Sequence, residues 1–114
     1  MEEVTLSINN LELIAKLEQL GTLPSEQDPI IDDFPLDTFD QLLQQFQLPI
    51  TMEIAQRLIQ LSPPSGSGCF GVEWTLLHLI ENLEIPQLQS LIEQSESNEV
   101  TDLIRIRLNN YFKK

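Results

Sequence analysis

Asp37-Thr38-Phe39-Asp40-Gln41-Leu42-Leu43-Gln44-Gln45-Phe46 is the stretch that decides the fold. Phe39, Leu42, Leu43 and Phe46 recur at i, i+3, i+4 and i+7, the spacing that lines one face of an α-helix. Polar side chains fill the positions between them. Asp37 is placed to cap this helix, and Asp40 lies near its first turn, where carboxylates are favoured by the helix dipole.

The same periodicity continues on both sides. Upstream, Leu11, Ile14, Leu17 and Leu20 predict a helix with Ser7 as N-cap and Gly21 as its stop. Glu12 and Lys16 sit four apart on it in the favourable order. Downstream, Pro49 ends the central helix and Thr51 caps the next, with Ile54, Ala55, Leu58, Ile59 and Leu61 facing inward. A fourth helix from Gly71 to Leu83 buries Val72, Leu76, Leu79, Ile80 and Leu83. Pro86 suits the first turn of a fifth, with Leu88, Leu91 and Ile92 inward. Ser97 or Asn98 caps a last helix carrying Val100, Leu103, Ile104, Leu108 and Tyr111. Alternation of the strand type is confined to Val4-Thr5-Leu6-Ser7-Ile8.

These readings predict an all-α fold, with about six short amphipathic helices in stacked antiparallel hairpins. Such hairpins form either a small HEAT-like solenoid or a compact irregular bundle. The length suits a single domain over residues 1–114. Two segments interrupt the helices. Residues 22–36 carry Pro24, Pro29 and Pro35 among four acids, a proline-rich acidic segment. Residues 62–70, opening Ser62-Pro63-Pro64-Ser65-Gly66, read as a flexible loop.

Charge sets the expected partner. Eighteen acidic side chains face six basic ones, a formal charge of −12. From Met1 to Gln56 there are eleven carboxylates and one cation, Lys16; from Leu103 to Lys114 there are four cations and no carboxylate. Such a field repels phosphate backbones and draws cationic protein surfaces, so a basic protein is expected and nucleic acid is not. Apolar residues make up 41% of the chain, so the acidity does not imply disorder. The Met1-Glu2-Glu3 opening lacks the basic and apolar regions of a secretory signal, and no apolar run reaches membrane-spanning length. The expectation is a cytoplasmic protein without a membrane segment.

The carboxylates Glu26, Asp28, Asp32, Asp33, Asp37 and Asp40 interleave with Ile30, Ile31, Phe34 and Leu36. They are the candidate partner-binding ridge, weighed against a solvated loop whose apolar residues tuck into the core. Catalytic, metal and cofactor sites are not expected. Cys69 is the only thiol and His78 the only histidine, and a nucleophile needs an adjacent, oriented base. His78 and Glu81 share a helix side, but no second histidine completes a metal site. Trp74, His78 and Glu81 instead predict a semi-buried polar seam, with Trp74 stacked on His78 and Glu81 accepting a hydrogen bond. Glu73 beside it reads as a first-turn carboxylate facing solvent. Gly66 to Gly71 precede a helix, but no strand leads into them and no lysine follows, so they read as a connector and not a phosphate loop. The C-terminal cations suit the negative pole of the last helix, and Arg107 is the one best placed for an internal ion pair.

Val72-Glu73-Trp74-Thr75-Leu76-Leu77-His78-Leu79-Ile80-Glu81 resembles the "lhxIE" helix of bacterial polymorphic-toxin immunity proteins of the all-helical immunity protein 30 group. Arg105-Ile106-Arg107-Leu108-Asn109-Asn110 resembles the "RiLN" ending of that group. Asp102 and Leu103 stand where the group carries a tryptophan. The resemblance implies an inhibitor that neutralises a cognate toxin by tight binding. His78, Glu81, Arg107 and Asn109 match the motifs and are expected to support the fold. A helical adaptor with no toxin partner is the alternative reading of the same residues.

Overall fold

The structure, a computed structural model, describes residues 9–112. The expected Ser7 cap, the Val4–Ile8 lead-in and Lys113-Lys114 lie outside the described residues. Six α-helices follow in order: α1 (Asn10–Leu20), α2 (Leu36–Leu43), α3 (Met52–Ile59), α4 (Val72–Ile80), α5 (Ile85–Gln94) and α6 (Glu99–Phe112). A 3-10 turn, Pro29–Asp33, interrupts the first connection, and there is no strand among the described residues.

The packing is a ladder. Successive helices pair as hairpins, α1 with α2, α3 with α4 and α5 with α6. Odd helices then stack on one another, α1 on α3 on α5, and even helices do the same, α2 on α4 on α6. The result is a two-layer slab with extents of 48 × 39 × 20 Å. The thin dimension is that of two helices at ~10 Å each. A small solenoid is therefore built from three hairpins that share no fixed sequence period.

An aliphatic core lies between the layers. Leu13, Ile14 and Leu17 of α1 meet Phe39 and Leu43 of α2, and Ile54, Ala55, Leu58 and Ile59 of α3 meet Leu76, Leu77 and Ile80 of α4. Leu88, Leu91 and Ile92 of α5 close the third hairpin against Val100 and Ile104 of α6. The expected inner face of α3 is buried in full.

Three faces differ from expectation; on α4, Leu77 is fully buried and the expected Leu79 only partly so. Leu11 is 53% exposed, and Leu13 takes the inward position instead. Residues three apart step back about 60° around the axis, so Leu11 and Leu20 end on opposite sides of α1. Tyr111 is 52% exposed. α6 runs fourteen residues beside an α4 of nine, so its last turn overhangs its neighbour.

Caps explain most helix starts. Asn9 accepts from the Glu12 N–H at 2.9 Å while Glu12 reaches back to the Asn9 N–H, a reciprocal capping box. Thr51 accepts from the Ile54 N–H at 3.2 Å, as its position predicts. Asn98 accepts from Thr101 N–H at 3.0 Å and opens α6. The expected Asp37 cap is absent: α2 starts behind Pro35, with Asp37 inside its first turn. Proline at that point already fixes the backbone.

Leu58 is fully buried at the centre of the ladder, whereas Leu48 is 54% exposed. Leu58→Ala should cost about 2–5 kcal/mol in urea denaturation, and Leu48→Ala should stay within about 0.5 kcal/mol. Equal effects would contradict the core described here.

Candidate functional site

The loop over residues 62–70 is the first surprise. It is not a free connector. Glu99 accepts from the Gly66 N–H at 2.8 Å, Glu73 from the Cys69 N–H at 2.7 Å and Glu26 from the Phe70 N–H at 2.7 Å. Those carboxylates come from α6, α4 and the α1–α2 connection. Backbone bonds add to them: Glu26 N–H donates to Gly68 O at 2.9 Å and Glu99 N–H to Pro63 O at 3.0 Å. The buried Ser62 hydroxyl accepts from the Val100 N–H at 2.9 Å. Burial explains the Cys69 bond. Cys69 is fully buried, and a buried backbone N–H without an acceptor is costly.

The chain turns into α4 through Phe70 and Gly71, both at positive φ (52° and 88°). Successive N–H groups in such a turn form an anion-binding hollow, and the anions that fill it are the protein's own Glu73 and Glu26. Gly68 lies close under both carboxylates: a Cβ there would lie 3.1 Å from Glu73 Oε2 and 3.2 Å from Glu26 Oε1, so a larger residue would make them shift by a few tenths of an ångström. Glu73, expected to face solvent, is thus buried. The signal for it was a carboxylate early in a helix after a loop whose N–H groups had no other acceptor.

Cys69 sits under this latch. Burial first, and then the charges of Glu73 and Glu26, push its thiol up to about 11. It stays protonated near neutral pH, and the thiolate is the nucleophilic form.

The latch divides the acidic ridge. Glu26 is spent on Phe70. Asp28 accepts from the Ile30 N–H at 3.0 Å and caps the 3-10 turn. Asp40 accepts from Gln44 Nε2 at 2.8 Å. Asp32, Asp33 and Asp37 remain exposed, with no hydrogen bond or ion pair to another described residue. Ile30, 59% exposed, lies in the same turn, while Ile31, Phe34 and Leu36 pack partly against the core.

Three of the four described cations, the arginines, are spent elsewhere. Arg57 of α3 forks onto both carboxylate oxygens of Glu18 on α1, and this hydrogen bond holds Glu18 below its usual range. Arg105 pairs with Asp102 at 3.3 Å, three residues earlier on α6. Arg107 pairs with Glu81 across α4 and α6 and lies 6.0 Å from the Trp74 ring centre. The structure therefore brings Trp74, Glu81 and Arg107 together, with two corrections. Trp74 is 44% exposed, so the seam is a surface one. Trp74 and His78 rings are tilted at 48° and 6.5 Å apart, not stacked, and Glu81 takes Arg107 as its partner instead of His78. A charged donor makes the stronger bond.

A groove of about 960 Å³ opens on the odd-helix side of the slab. The 22–28 segment forms one wall and the 94–98 segment the other, with Gln56 and Ile59 of α3 and the Gln60 that follows them as the floor. Its polar lining was not singled out by periodicity, which finds apolar faces.

Among the described residues no group of three or more His, Cys, Asp or Glu is placed to hold a metal ion, and no helix is long and apolar enough to cross a membrane. No protein-family model matches the chain, and comparison with curated proteins and with solved structures gives no match either.

Two measurements test the latch. Glu73→Ala should lower stability by about 1–3 kcal/mol, the cost of orphaning a buried N–H. The thiol pKa is raised by folding, so its stabilisation is complete below about pH 9 and fades as pH climbs toward about 11. Cys69→Ala should make the loss of stability over that interval shallower, by on the order of 2 kcal/mol in urea midpoints converted to free energy.

Proposed function

We propose that this chain is a cytoplasmic immunity- or antitoxin-like inhibitor. It neutralises a cognate basic toxin domain, of the nuclease type, by binding tightly and occluding the active site. The observation that carries this reading is the set Asp32, Asp33 and Asp37. They stand exposed around Ile30, while Arg57, Arg105 and Arg107 are all committed to internal ion pairs. In a cationic cleft those carboxylates stand in for substrate phosphates. Their field speeds encounter, and Ile30 supplies an apolar anchor that slows release.

The two stretches that resemble the immunity protein 30 group support the same reading. His78 on α4, Glu81 at its C-cap and Arg107 on α6 are assigned to holding these helices together. No covalent or redox step belongs to the proposal. The protonated, enclosed Cys69 is consistent with inhibition by binding alone.

The groove favours one second reading, a helical adaptor that holds another complex together without any toxin. Salt separates the two. The inhibitor reading expects a toxin domain encoded beside this chain's gene, which should form a complex whose Kd rises at least about 10-fold between about 50 and 300 mM salt. The triple change Asp32→Lys, Asp33→Lys, Asp37→Lys should weaken it by about 100-fold or more, with helicity unchanged by circular dichroism. A salt-insensitive complex, untouched by that triple change, would sink the inhibitor reading and favour the adaptor.

A further inference from the structure

The groove has a chemical character of its own. Its carboxylates, Asp28 on one wall and Glu96 on the other, are accompanied by no lining cation. Arg57, which belongs to α3, turns away to Glu18. Arg105 reaches Ser97 at 3.2 Å on the rim, but Asp102 neutralises it. A positive side chain entering the groove therefore meets two negative charges and no competing positive one.

The remaining lining is rich in amides. Gln56 Nε2 donates to Gln94 Oε1 at 3.2 Å across the floor, which leaves Gln56 Oε1 as an open acceptor. The Gln60 side-chain amide makes no hydrogen bond to another described residue. On the third-hairpin wall, neither Glu96 nor Ser97 spends its backbone N–H within the described residues. Unspent main-chain donors beside side-chain amides match the needs of an extended peptide, whose N–H and C=O groups must all find partners on leaving water. A volume of about 960 Å³ is at the upper end for a concave ligand site and suits a segment more than a single side chain.

We propose that this groove takes an extended basic segment of the protein partner, with one lysine or arginine of that segment held between Asp28 and Glu96. The inference rests on the preceding reading only for the positive charge of the partner. It adds a second contact, on the odd-helix layer, to the one at Asp32, Asp33 and Asp37.

The probe is a displayed library of random heptapeptides, about 23 Å long when extended at ~3.3 Å per residue. It is selected on the purified chain. Enriched peptides should carry lysine or arginine at one fixed position. Their affinity should fall at least about 10-fold in the double variant Asp28→Asn, Glu96→Gln. It should change less than about 2-fold in Asp32→Asn, Asp33→Asn, Asp37→Asn, read by fluorescence anisotropy at one salt concentration. Because Asp28 also caps the 3-10 turn, Glu96→Gln alone is measured beside the double variant and should itself lower affinity about 3-fold or more. No enrichment, enrichment without a basic position, or affinity indifferent to Glu96→Gln each overturns the proposal. If the ridge triple still disrupts a toxin complex in that case, the inhibitor reading survives without the groove. If the groove binds basic peptides but no toxin complex forms, the reverse holds.

Discussion

The buried Cys69 N–H must find an acceptor inside the protein, and the exposed N–H groups of Phe70 and Gly66 beside it also take carboxylate acceptors. Glu73, Glu26 and Glu99 supply them from the middle hairpin, the first connection and the last helix. One loop thereby fastens three hairpins. Hydrophobic packing alone would hold the layers together without fixing how far one hairpin slides along the next. Directional bonds to charged acceptors are about twice as strong as neutral ones and set that position. The groove exists because of it: its two walls belong to segments that the same loop anchors, through Glu26 N–H to Gly68 on one side and Glu99 N–H to Pro63 on the other.

The latch also sorts the carboxylates. A charge of −12 could have been spread evenly over the surface. Instead some acids serve as acceptors for backbone N–H groups, others meet the arginines, and what is left over includes Asp32, Asp33 and Asp37 in one short segment, with Glu53, Glu93 and Glu96 elsewhere. Glu26 and Asp32 are equivalent in composition and different in duty. One organises backbone and the other faces water, and only the second kind is available to a partner.

Helix number and order were legible in the sequence because they rest on local rules. Thr51, Pro86 and the Phe39–Phe46 spacing each act within a turn or two. Faces were legible where apolar residues cluster tightly, as in α3, and were misassigned where a run of threes drifts around the axis, as at Leu11. The role of Glu73 was not legible. Its partner, the Cys69 N–H, is a backbone group, and backbone groups leave no mark on composition. The Arg107–Glu81 pair was half visible: Arg107 was the right cation, but its carboxylate lies on another helix, and His78 was the nearer candidate in sequence. The acidic ridge was legible as a list and not as a surface, since only the fold tells which of its members are already engaged.

A ladder in which each hairpin touches only its neighbours behaves as a nearly one-dimensional array. The middle hairpin is buttressed on both flanks and the outer two on one. Fraying therefore begins at the margins, and amide hydrogens of α3 and α4 are the last to exchange with solvent. The segments that present the outward acids hang from the first hairpin, at one of those margins. The molecule thus keeps its most rigid part in the middle and its exposed acidic edge where small adjustments of shape cost least.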